Sequence, residues 1–484
     1  MNPLLAPVLP LVAAPLSLAP LGRRFAPAVT LAAAGLAFGL AATAGVLVAG
    51  GGPLIAIPGW IELDGLGAVV LLVVTFVAAT AALFSWGYLD AHGTSPARVR
   101  AYCVQFNLFV FALALVPVLA QPALVWIAIE FTAVFSVLLV AFDNTQAALE
   151  AAWKYIALMF MGAAIALVGF FLLFWAQAET GGGHYSWEGL RAVAPLMRPT
   201  LVLTAFLFIL VGFGTKVGLV PMHTWLPDAH SQAPSPVCAL LSGVKTTAAL
   251  YCILRLLPLL PAGRLDGWLQ AVGLLSTGTA AVLLLQVRDY KRLFAYSTVE
   301  HMGIVCTAAG LGGAGARTGA MLQLIAHSLT KSFCFFAAGA ALLLLGTREI
   351  PAVRGLIRTS PVAGAAMLFG ALAIGGAPPM AVFLGEFAII RSGLALHQYV
   401  ATGLLTGFIA MAFFGILYHV SGMVFGSPAA ASVPAQASGR LPAACVLALI
   451  VAGLPVLVLG LAQPGWLHAL LAGAAAAITP AATP

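Results

Sequence analysis

Gly212–Arg255 reads GFGTKVGLVPMHTWLPDAHSQAPSPVCALLSGVKTTAALYCILR. An apolar run carrying Lys216 stops at Gly218 and resumes beyond Pro227 and the P-S-P of Pro234–Pro236, as a second apolar run carrying Lys245. Each proline lacks a backbone donor and clashes with the turn before it, so a helix entering this stretch breaks. Broken helices at membrane depth are tolerated where the freed backbone is buried in protein or lines a wet cavity. The stretch therefore predicts a membrane helix bundle with an interrupted seventh span, 200–224, broken at Gly218–Pro227.

The rest of the chain agrees. Of 484 residues, 62% are apolar, 7% are charged and 51 are glycine, with a mean hydropathy of +1.08. Soluble domains carry about 25% charged residues, so this chain cannot cover a water-facing surface. Rossmann and TIM scaffolds, long disordered regions and a nucleic-acid partner are all excluded despite the net charge of +7. Six scattered cysteines form no C-x-x-C and no haem or zinc spacing, and are expected to be buried apolar thiols.

Apolar stretches of about 20 residues predict an all-α polytopic protein of about fourteen spans, from 3–21 to 441–462. Arg23 and Arg24 follow the first apolar run, so that run is a transmembrane helix with its N-terminus outside and not a secretory signal. Alternate loops then divide the basic residues 12 to 6. The inner set is Arg23, Arg24, Arg98, Arg100, Lys154, Arg288, Lys291, Arg292, Arg348, Arg354, Arg358 and Arg440, which places both termini in the periplasm of a Gram-negative cell. The twelfth span, 361–390, also breaks, at Gly375–Pro379 (GGAPP). Two breaks five spans apart predict two five-helix units, 101–261 and 262–426, inverted relative to each other, with helices 1–3 in 1–100 and helix 14 and a tail in 427–484.

A charge at the bilayer centre costs about 2.5–3.5 kcal/mol and marks a pathway more often than an accident. Glu130, Lys216, Lys245, His301, His327, Lys331 and Glu386 all fall inside spans. Carboxylate, amine and imidazole together can relay protons through water without a prosthetic group, since burial and neighbours move their proton affinities toward one another. Glu130 and Lys216 are expected to pair. His327 and Lys331, four apart, share a helix face. Lys154, near a span end, is expected to reach the interface instead, and His397 and His419 to be structural. His223, Asp228 and His230 gather near the first break with Pro221 and Pro227, while Pro378 and Pro379 mark the second. Three such groups in a loop after a proline fall short of a zinc site, so no metal and no cofactor is expected. No Ser–His–Asp, phosphate loop or metal-binding acidic pair offers an active site.

These segments resemble the proton-conducting, antiporter-like membrane subunits of complex I, membrane-bound hydrogenases and Mrp-type antiporters. The resemblance rests on Gly212–Arg255, Trp126–Val140, Ala152–Tyr155, Asp289–Gly303 (DYKRLFAYSTVEHMG), His327–Phe336 (HSLTKSFCFF) and Pro378–Phe387 (PPMAVFLGEF), and spans roughly residues 100–425. Glu300 directly before His301 is similar to the F-type group of hydrogenase-4 subunits, and Glu386 to the M-type branch of complex I. The chain also ends soon after its fourteenth span, without a long lateral helix.

The resemblance implies fourteen helices with two inverted five-helix repeats, and proton movement along a central Lys/His/Glu line driven by redox chemistry in partner subunits. Glu130 and Lys216 become the input pair, Lys245 and His327–Lys331 the central relay, and Glu386 the exit group. One position departs from the pattern: the eighth-span lysine usually lies two residues later, where this chain has Thr247. The expected protein is a proton-translocating subunit of a hydrogenase-4 or formate hydrogenlyase type complex in the bacterial inner membrane. Its partners would be other integral subunits and a peripheral redox module. The alternatives are an M-type NADH:quinone oxidoreductase subunit, a cation/proton antiporter or inorganic-carbon transporter subunit, and a scaffold that has lost transport.

Overall fold

Long apolar runs with few helix breakers form helices because, away from water, each backbone N–H must bond within its own segment. In the computed structural model, which describes residues 2–260, 266–427 and 440–479, the chain is a helical bundle. The boundary at 261/262, Arg264 and most of the Ser427–Arg440 interruption lie outside the described residues. In chain order the first elements are α1 (Val8–Leu16), α2 (Phe25–Gly51), α3 (Gly65–Ala91), α4 (Pro96–Leu115), α5 (Pro122–Val140), α6 (Gln146–Ala178), α7 (Trp187–Val193), α8 (Pro199–Val217), α9 (Trp225–Gln232), α10 (Ser235–Leu240) and α11 (Thr246–Arg255). There follow α12 (Asp266–Leu284), α13 (Tyr290–Leu311), α14 (Ala314–Leu345), α15 (Leu356–Thr359), α16 (Pro361–Ile374), α17 (Ala381–Ala395), α18 (Tyr399–Phe425), α19 (Ala443–Leu461) and α20 (Gly465–Ala477).

Among the described residues, eleven helices are long and apolar enough to cross a membrane. The differences from fourteen have local causes. The first apolar run is α-helical only over the nine residues of α1, the tenth, 294–312, carries Glu300 and His301 among other polar residues, and the twelfth is split into α16 and α17. Outside the predicted spans lie, among others, the short α7 inside the Glu179–Pro199 interruption, the apolar C-terminal α20, and a hairpin of β1 (Leu54–Ile57) and β2 (Ile61–Leu63). The hairpin turns at Gly59, whose N–H donates to the Glu62 carboxylate at 2.6 Å.

The continuous stretch Ser235–Leu259 is buried except at Arg255, and α14 is buried along most of its length. Both therefore lie inside the bundle, and both carry ionisable residues. The outer helices show Leu36, Phe171, Phe414 and Tyr418 to the surroundings, as lipid-facing helices do. Close crossings use small residues: a Cβ at Gly162 would strike the Gly212 carbonyl, and one at Gly303 the Gly273 carbonyl. Polar pins add to the packing, such as Asn107 Nδ2 donating to Thr30 Oγ1 at 2.8 Å.

The first break is narrower than the prolines suggest. Helix α8 ends at Gly218 in the left-handed region (φ +85), a conformation open to glycine, and Val220–Pro221 is cis. Pro227 falls in the first turn of α9, where no N–H partner is needed. The second break uses the same parts, Gly376 at φ +77 and a cis Pro378–Pro379 bond, between α16 and α17.

Candidate functional site

Lys216 sits in the last turn of α8, just before the Gly218 break, where the free carbonyls of the helix end favour a cation. It is fully buried, and its Nζ lies 2.8 Å from Glu130 Oε1 on α5. The expected pair is thus formed, and it is insulated from solvent.

Lys245 ends a π-helical turn, Leu241–Lys245, between α10 and α11. Such a turn inserts an extra residue into the helix and re-aims the side chains beyond it. The Lys245 amine donates to the Tyr155 hydroxyl and reaches Met159 Sδ at 3.3 Å, with its charge 4.2 Å from the centre of the Tyr155 ring and 4.9 Å from that of Trp225. Tyr155 and Ser136 share a hydroxyl–hydroxyl bond of 2.5 Å. Lys245 therefore faces α6 and α9, on the side of Glu130 and Lys216, whereas Thr247 faces α14 through Ser328 Oγ at 3.3 Å.

The π-turn also receives the other half of the molecule. His327 Nε2 donates to the Ser242 carbonyl at 3.2 Å, leaving its Nδ1 without a partner. The His301 and His327 rings are 5.2 Å apart. Gln323 Nε2 donates to His301 Nδ1 at 3.0 Å while His301 Nε2 donates to the Ile374 carbonyl at 2.9 Å, next to the second break. These roles assign the Nε2–H tautomer to both rings. Lys331, one turn beyond His327 on α14, donates to the Phe294 carbonyl at 2.6 Å and to the Ser297 hydroxyl. Glu386 on α17 points back into the second break, where a Cβ at Gly376 would meet its carboxylate, and it lies beside Gln323.

The structure thus brings Glu130, Lys216, Lys245, His327, His301, Lys331 and Glu386 into one buried line across the bundle. The residues of the first break do not converge. His230 is buried with Nδ1 donating to the Leu226 carbonyl at 2.7 Å, while Asp228 pairs with Arg292 at 2.7 Å and with Lys154 at 3.6 Å. No trio of His, Cys, Asp or Glu among the described residues is arranged to hold a metal. Lys154, half-exposed and also paired with Glu150 at 2.7 Å, stands outside the line. His419 is half-buried and bonded to the Leu285 carbonyl, and His397 is exposed and bonded to the Tyr399 hydroxyl.

Sequence reading passed over Tyr155, Ser242, Ser297 and Gln323 as line members. They are common helix residues whose relevance comes from facing Lys245, His327, Lys331 and His301. The predicted inner face carries a cavity of about 580 Å³ lined by Ser231, Asp289, Arg292 and Arg348. Asp289 caps α13 there, accepting from the backbone N–H of Lys291 and Arg292, and Lys291 ties α13 to the Ala233 carbonyl.

Residues 120–413 match the family described as NADH:quinone oxidoreductase/Mrp antiporter, transmembrane, and residues 55–98 match the N-terminus of chain 5 of NADH-ubiquinone oxidoreductase (complex I). A hydrogenase-4 component F homolog of Methylacidiphilum infernorum is 39% identical over 382 residues, covering 77% of this chain and 80% of the relative. Among solved structures, a chain of the membrane-bound sulfane sulfur reductase, an archaeal respiratory membrane complex, superposes with a TM-score of 0.86 at 25% identity. It covers 98% of this chain and 97% of its own. A chain of the Mrp complex from Dietzia sp. DQ12-45-1b has the same TM-score and coverage at 20% identity, a likeness of fold.

Proposed function

The chain belongs to the NADH:quinone oxidoreductase/Mrp antiporter transmembrane family, and from that membership we propose that it carries protons across the bacterial inner membrane as a subunit of a redox-driven, complex I-like assembly of the hydrogenase-4 type. The observation that carries this reading is the buried line from Glu130–Lys216 to Glu386, with an ionisable group at each helix break. Seven such groups in a bundle interior are costly to keep unless they are used. The pair at Lys216 is the input, the amine of Lys245, the imidazoles of His327 and His301 and the amine of Lys331 form the central relay, and Glu386 is the exit. Redox chemistry and electron carriers belong to partner subunits, so the chain supplies no active site. In this reading residues 101–261 and 262–426 are inverted units, and both termini face the periplasm.

The test uses the assembled complex in membrane vesicles, with redox turnover and proton translocation measured together. Lys216→Ala and Glu386→Gln should each abolish translocation with the complex intact; full pumping in both overturns the relay. A cation/proton antiporter subunit is the second reading, because the family description covers both activities. It predicts sodium-driven proton movement without an electron donor.

A further inference from the structure

No hydrogen bond joins Lys331, whose amine is held by the Phe294 carbonyl and Ser297, to Glu386. Glu300 is a buried carboxyl within electrostatic reach of both. It is 3% exposed, and its Oε2 has no hydrogen-bond partner. On α13 it stands one turn beyond Ser297, whose hydroxyl binds Lys331, and on the same helix face. It interacts electrostatically with both Lys331 and Glu386. On the far side Gln323, fully buried with Oε1 unpartnered, lies between His301 and Glu386.

An isolated charge is expensive in such surroundings, and two neighbouring carboxylates resist ionising together. The arrangement that is both neutral and paired is one ammonium, one carboxylate and one carboxylic acid. Building on the relay reading above, we propose that Glu300 is a proton-carrying residue that joins Lys331 to Glu386, the two carboxyl groups holding a single proton between them.

The step balances. Release of the shared proton from Glu386 leaves two carboxylates facing one ammonium. Lys331 then gives its proton to Glu300, one N–H bond breaking and one O–H bond forming, and is reprotonated from the His327 side. Glu300 and Glu386 again share one proton, and the cluster returns to its neutral state.

The test combines proton translocation with infrared spectroscopy of the carboxylic-acid carbonyl stretch, both on the assembled complex, in Glu300→Gln, Glu300→Asp, Glu386→Gln and Lys331→Ala. A shared proton predicts one buried acid band in the native complex, lost in either glutamine variant, since the remaining carboxyl ionises against Lys331. Translocation should fall on the order of 100-fold in Glu300→Gln, and Glu300→Asp should keep at least half of it with a shifted band. A band that survives in one glutamine variant, or stays unmoved in Glu300→Asp, overturns the sharing. If Glu300→Gln pumps normally while Glu386→Gln and Lys331→Ala do not, Glu300 is off the path and the relay stands. If all three pump normally, the relay itself falls. Should Glu300→Gln fail to assemble, Glu300→Asp and Glu386→Gln still decide between these outcomes.

Discussion

Tyr155 shows how much one hydroxyl decides. Without it the Lys245 amine would lie among ring faces and Met159 with no oxygen to bind. Tyr155→Phe should cost about 1 kcal/mol of stability yet lower proton translocation on the order of tenfold or more, measured in vesicles holding the intact complex. Asp64 is a contrasting case, a charge used for structure. It caps α3 by accepting from the Gly67 N–H at 2.9 Å and is bidentate with Arg255 at the far end of α11. Burial pushes its carboxyl up, but the Arg255 guanidinium and the bonds from Arg255 and Gly67 outweigh that and hold it below the usual carboxylate value. A group with a depressed folded value contributes stability that is full above the ordinary carboxylate range and is lost as pH falls through the lower value. The native protein should therefore lose stability on acidification below the ordinary carboxylate range, whereas Asp64→Asn should start about 2 kcal/mol lower at neutral pH and fall less. That cost is below the figure for a fully buried pair because the Asp64 side chain is 28% exposed. Thermal unfolding across the pH range checks both limbs.

At the scale of elements, the breaks and the π-turn do the positioning. Gly376 combines a left-handed backbone with a carboxylate where a Cβ would lie. Gly376→Ala should cost about 1–2 kcal/mol of backbone strain and also displace Glu386, so translocation should drop. Gly181→Ala is the control, since Gly181 has φ +70 and open space around it, and should show the strain with transport unchanged. Equal transport in the two variants would remove Gly376 from the site. The eighth-span lysine, Lys245, ends the π-turn. Residues 245 and 247 point to opposite sides, Lys245 to Tyr155 and Thr247 to Ser328, as the regular spacing of about 200° gives, while within the π-turn the Ser242 carbonyl receives His327. Lys245 and Thr247 thus address opposite halves of the bundle, Lys245 through Tyr155 and Thr247 through Ser328.

For the whole molecule, the split of basic residues between loops predicts orientation, and the ion pairs fall in with it. Asp228–Arg292, Asp228–Lys154 and Asp289–Arg348 share the predicted inner face, while Asp64–Arg255 and Glu179–Arg198 share the outer one. All six native cysteines are buried, so a membrane-impermeant thiol reagent should find little background. A cysteine replacing exposed Arg288 should react only from the cytoplasmic side, and one replacing exposed Arg191 only from the periplasmic side. The reverse pattern would invert the topology.

Composition and span length by themselves determined that this is a helical membrane protein, because 35 charges in 484 residues cannot face water. Prolines located the two interruptions, since a missing N–H is a local fact. The intramembrane Glu, Lys and His residues stood out for the same reason of cost. What neighbours those side chains was decided only by tertiary structure. The π-turn that ends at Lys245, the α20 helix, the hairpin, and the bonds of Tyr155, Ser242, Ser297 and Gln323 depend on contacts between segments distant in sequence. Hydropathy measures each residue's preference for lipid over water, and it carries no information about which buried group another buried group will meet.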